Sequence, residues 1–167
     1  MGTSFDLIYT RFLDQVTDDM FVAWDKEQTY MELEGMLMNS IPQFRFAKIN
    51  LNDHVKSEVS DDSLGTEFTV GHFEEELSYD EIYILSLYMV GEWMGRQANT
   101  VRLTELQYTG SDAKALNTSS QLRTLMLMRE ENDKKIAKQV MYYQSYTLDK
   151  PKGRMRPGLE FLAGKNK

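Results

Sequence analysis

The sequence predicts a mainly α-helical fold: a small helical bundle with a long central helix, a β-hairpin or extended-loop insertion at about residues 44–77, and a flexible basic arm at the C-terminus. Three observations predict it. Apolar residues recur at helical spacing over residues 5–13, 30–41, 82–106 and 122–143. Residues 44–77 break that period with short alternating, β-branched runs around the turn cluster "SDDSLG". After Leu148 the periodicity stops, and two of the three prolines and three glycines gather in the last nineteen residues. The expected organisation is a helical domain over 1–148 and an arm over 149–167.

The first helix is predicted from Phe5, Ile8, Tyr9, Phe12 and Leu13, an i, i+3, i+4, i+7, i+8 stripe that Ser4 can cap. In the second, Tyr30, Leu33, Leu37 and Ile41 share a face, and Pro42 stops the helix near Ile41 because proline lacks the amide that would continue it. "RFAKINLNDHV" and "EFTVGHFEEEL" read as the two limbs of the insertion. The third helix is the clearest. Its opening "SYDE" is a capping box, with Ser78 accepting from the amide of Glu81 and Glu81 reaching back. Leu77 and Ile82 stand at the positions of a hydrophobic staple. Ile82, Leu85, Met89 and Trp93 form one stripe, widened by Leu87, Tyr88 and Met94, and the helix is expected to run to about Leu106. "QYTGSDAKALN" at 107–117 then reads as a joint of roughly ten residues, with Gly110 closing one helix and Thr118 or Ser119 capping the next. The last helix carries Leu122, Leu125, Met126, Ile136, Val140 and Tyr143. Its charged middle, "REENDKK" at 129–135, is expected to project from the core.

Composition narrows the function classes. The chain has 167 residues, one domain's worth, and no cysteine, so disulfides and thiolate metal sites are excluded. The longest apolar segment, "IYILSLYMVGEWMG", falls short of the ~18–20 apolar residues of a membrane span and is read as a buried helix. "MGTSFDLIYTRFLDQ" lacks the basic-then-apolar order of a secretory signal. The net charge is −7, unevenly placed. The arm holds six cations against Asp149 and Glu160, a net +4, which leaves −11 on residues 1–148. An acidic body is a poor binder of nucleic acid, whose phosphates need clustered Lys and Arg.

The chemical signatures of phosphate loops, nucleophile elbows and zinc helices do not occur, and no cofactor is expected. His54 and His72 with Asp53 and Glu74–Glu76 are the one metal-like group, and they lack the tight spacing of metal motifs. A metal-dependent enzyme using them is the alternative of a different class. A regulatory helical module binding another protein or DNA in the host cell is a third, with the acidic body arguing against DNA. Asp18, Asp19 and Asp25 read as caps and dipole partners of helix N-termini. The arm's basic residues Lys150, Lys152, Arg154 and Arg156 precede an apolar plug of Leu159, Phe161 and Leu162, a composition suited to docking on a partner.

Several segments resemble a family. "YTRFLDQVTDDMF…WDKEQTY" and "LSYDEIYILSLYMVGEWMGRQANTVRLTELQYTGSDAKALNTSSQLRTLMLMREEND" are similar to head–tail connector, or adaptor, proteins of tailed bacteriophages, over residues 5 to about 145. The resemblance implies a structural virion protein at the head–tail junction, made in the bacterial host cytoplasm, without enzymatic activity. Such adaptors form a ring, usually of twelve copies, beneath the portal protein. The ring extends the DNA channel and carries the next neck or tail protein. DNA would pass without sequence-specific contact, and no membrane would be involved. By the same resemblance, the insertion would reach a neighbouring copy through Phe46, Ile49, Leu51, Phe68, Val70 and Phe73. The arm would grip the portal through Lys150, Lys152, Arg154, Arg156, Leu159, Phe161 and Leu162. Other phage neck or tail-completion proteins share this layout and are the nearest alternative.

Overall fold

The computed structural model describes residues 2–16, 21, 24–61, 66–107 and 112–148, with side chains outside 58–69, 104–118 and 146–148. The described residues form helices α1 (Phe5–Leu13), α2 (Lys26–Ser40), α3 (Tyr79–Gln107) and α4 (Asp112–Leu148), a 3₁₀ turn at Ile41–Gln43, and strands β1 (His54–Asp61) and β2 (Thr66–Phe73). The fold is mainly α with a two-stranded antiparallel hairpin, as the periodicity indicates.

Local chemistry sets the helix ends. Ser4 caps α1 by accepting the amide of Asp6 at 3.2 Å. Asp25 caps α2 by accepting the amide of Gln28 at 2.8 Å, a structural role for an acid singled out in the sequence. Pro42 turns the end of α2 into the 3₁₀ segment. At α3 the capping box forms: Ser78 Oγ accepts the Glu81 amide at 3.4 Å, and Glu81 Oε2 accepts the Ser78 amide at 2.7 Å.

α3 is the hub. α1 and α2 pack on it, and α4 runs back antiparallel along its length. The core gathers Phe5, Ile8 and Phe12 of α1, Leu33, Met36 and Leu37 of α2, and Ile84, Leu85 and Met89 of α3, closed by Phe44 and Leu51 from the α2–β1 connection. Leu13, the last residue of the predicted α1 stripe, is exposed at the helix end.

The hairpin pairs His54 with Phe73 through to Asp61 with Thr66. Its base is tied to the N-terminus on the outer edge of β2. Thr3 O accepts the amide of Phe73 at 2.9 Å, Thr3 donates its own amide to Glu75 O at 3.2 Å, and Thr3 Oγ1 accepts the amide of Leu77 at 2.7 Å. Gly71 of β2 lies under the ring of Phe5: a Cβ there would stand 2.2 Å from Phe5 Cε2.

Three expectations are corrected. "RFAKINLND" is a run of turns, and β1 starts only at His54. Backbone amides there are spent elsewhere, Lys48 on Glu81 and Tyr143, and Asn52 on the Asn50 side chain. The joint between the long helices is short, because α4 already begins at Asp112. Ala113, Lys114, Ala115 and Leu116 favour helix and outweigh the cap-like Thr118 and Ser119. The charged middle of α4 does not project as a block. Asn132 is buried against α3 and donates Nδ2 to Leu87 O at 3.0 Å, and Ile136 is buried one turn on.

Candidate interaction surfaces

Glu81, 2% exposed, is the one charged side chain that is buried among the described residues. Its carboxylate is held from four directions. Tyr143 OH donates to Oε1 at 2.6 Å and the Lys48 amide donates to the same oxygen at 3.0 Å. The Ser78 hydroxyl and amide each donate to Oε2 at 2.7 Å. Burial pushes the Glu81 carboxyl up, but the hydrogen bonds from Tyr143, Ser78 and Lys48 outweigh it and hold it below its ordinary value. Burial, then the hydrogen bond and charge of Glu81, pushes the Tyr143 phenol well above its ordinary value. The group joins the α2–β1 connection, the start of α3 and the end of α4. Every carboxylate oxygen is occupied by protein, so this is a structural knot.

The two histidines do not converge. His54 pairs with Phe73 and His72 with Val55, and neighbouring residues of a strand face opposite sides of the sheet. The His54 ring sits 5.9 Å from Phe5 and 6.1 Å from Phe73, with Nδ1 3.2 Å from Leu51 O, while His72 is exposed. No group of three metal-type ligands occurs among the described residues.

Of the insertion residues assigned to a neighbouring copy, Leu51 and Phe73 are buried in this chain's own core, and Ile49 packs against it. Val70 is half-buried. Phe46, 57% exposed, is the large apolar side chain of that set turned to solvent. The Phe68 side chain lies outside the described residues, as do Lys150, Lys152, Arg154, Arg156, Leu159, Phe161 and Leu162 of the arm.

Three surfaces emerge that the sequence reading missed. The Arg11 guanidinium lies 5.4 Å from the Tyr79 ring and 5.1 Å from the Tyr83 ring, and Lys135 lies 5.6 Å from Tyr83, a cationic–aromatic face on an acidic body. The i, i+4 tyrosines were its only sequence signal. An open groove of about 290 Å³ runs between α3 and α4, lined by Tyr88, Gly91, Glu92, Asp133, Ile136 and Val140 among others. Finally, beyond Met94 on α3 and before Asn132 on α4, none of the described side chains is fully buried. There the two helices leave the bundle as a paired projection. It exposes Leu103, Met126, Leu127 and Met128.

No described helix is long and apolar enough to cross a membrane. Comparison of the chain with protein-family models, curated proteins and solved structures finds no match.

Proposed function

We propose that this protein is a structural component of a bacteriophage head–tail junction: a ring-forming adaptor that joins the portal to the next neck or tail protein and surrounds the DNA channel. The observation that carries the proposal is the way its long helices leave the bundle. α3 and α4 extend past their own core and present large apolar side chains that the described residues leave exposed. That is the build of a subunit completed by neighbours. The resemblance of residues 5–145 to connector proteins supplies the kind of assembly. The charge distribution agrees with it: a body of −11 lets DNA pass by repulsion, and a +4 arm with an apolar plug suits docking on a second protein.

The test is binding to the portal ring of the same source, comparing the full chain with a chain ending at Leu148. Rings of the full chain on the portal, absent for the shortened chain, are the expected result. Arg154→Glu with Arg156→Glu is expected to weaken attachment and leave the far-UV circular dichroism unchanged. Failure of the full chain to bind the portal overturns the adaptor assignment; equal binding by both chains overturns the role of the arm.

A further inference from the structure

The outer face of α4 points to a second copy of this chain. Toward α3 the helix presents Leu122, Leu125, Asn132, Ile136 and Tyr143, spaced three, seven, four and seven residues apart and buried or half-buried. At about 100° per residue, Leu127 stands roughly opposite that seam, and it is 58% exposed. Met126 and Met128 flank it at about 100° on either side, both exposed. Three consecutive exposed apolar residues on a helix are out of place unless something covers them.

The charges around Leu127 select the partner and its direction. In an antiparallel two-fold pairing centred on Leu127, residue 127 + k meets residue 127 − k of the other copy. Leu127 then meets itself and Arg123 stands level with Glu131 at both ends of the contact, while Met126 and Met128 lie to either side of it. Arg123 and Glu131 are both exposed. A parallel pairing in register would set Arg123 against Arg123 and Glu131 against Glu131, which is repulsive. The face is therefore self-complementary in one orientation, the requirement of a two-fold interface.

We infer that two copies of this chain associate in solution through antiparallel contact of their α4 outer faces, centred on Leu127, giving a four-helix arrangement of the two α3–α4 projections. The inference draws on the same exposed projection as the head–tail reading, but its test is made on the free protein without a portal, so the two fail separately. The projections are short, which sets the contact at the weak end of specific interfaces, a class that begins at about 1,200 Å². Association is expected in the micromolar range.

Sedimentation velocity of the full chain across micromolar to sub-millimolar concentrations tests this. A monomer–dimer equilibrium is expected. Leu127→Glu is expected to give monomer at every concentration, with an unchanged melting temperature under dilute conditions where the wild type is also monomeric, because the site is then exposed. Arg123→Glu and Glu131→Arg are each expected to weaken the dimer about tenfold, since the substitution acts twice across a two-fold axis. The double variant Arg123→Glu with Glu131→Arg restores it. A monomeric wild-type chain, an oligomer insensitive to Leu127→Glu, or a double variant as weak as the single ones overturns the inference. So does a dimer of the full chain that is lost in a chain ending at Leu148, which would assign the face to the arm's apolar plug.

Discussion

Tyr143 ties the end of α4 to the start of α3 and to the α2–β1 connection. Its hydroxyl donates to Glu81 at 2.6 Å and accepts the amide of Lys48 at 3.1 Å. Tyr143→Phe removes a charge-assisted hydrogen bond and leaves the part-buried Lys48 amide with one acceptor fewer. The expected cost is about 1.5–3 kcal/mol, measured by urea unfolding, together with an upward shift of the Glu81 carboxyl followed by NMR titration. An unchanged Glu81 titration would show that the phenol does not support the carboxylate. Half of this knot is legible in the sequence. Ser78 and Glu81 are three residues apart, and a capping box is defined by that spacing. The other half joins residues 62 positions apart, and nothing local marks it. Asn132 was unreadable for a related reason. A single amide inside "REENDKK" looks like one more solvated polar group until Leu87 O is placed beside it.

Among the elements, the hairpin shows how a strand pair is locked to a helix. The Phe5 ring lies 4.9 Å from Phe73 and covers Gly71, so the face of β2 toward α1 has no room for another carbon. Gly71→Ala is therefore expected to destabilise the protein by about 1–3 kcal/mol through overpacking. Combining it with Phe5→Leu is expected to cost less than the sum of the two single changes, because the smaller side chain vacates the contact. Equal additivity in chemical denaturation would mean that the strand shifts instead. Both limbs of the hairpin were expected, but the first was placed too early. Hydrophobic alternation over 44–53 is real, yet the Lys48 amide bonds to side chains of α3 and α4, and those of Phe44, Arg45, Asn52 and Asp53 bond to nearby turns. Strand parity had a further consequence. The two histidines invite pairing by composition, and only the register places them on opposite faces.

At the level of the whole molecule, acid and base act on the same knot from opposite sides. Glu81 has a depressed carboxyl in the folded chain, so the unfolded chain takes up that proton at higher pH. Its contribution to stability is complete above the ordinary value of 4.5 and is lost as the pH falls through the lower folded value. Tyr143 and Tyr9 are both raised, chiefly by burial. Their contribution is complete below the ordinary value of 10.0 and is lost as the pH rises above it. Thermal melts are expected to show a plateau between these limits, and the acid limb is expected to flatten in Glu81→Gln; an unchanged acid limb would place the loss on other carboxylates. The bundle was legible because helical period and caps are local; the projection was not, because burial depends on where neighbouring helices end. α4 is one continuous helix of 37 residues, about 55 Å from end to end at 1.5 Å per residue. A rod of that kind works as a ruler: whatever is held near Asp112 and whatever is held near Leu148 stand a fixed distance apart, and the thickness of any layer built from this chain is set by the length of one helix.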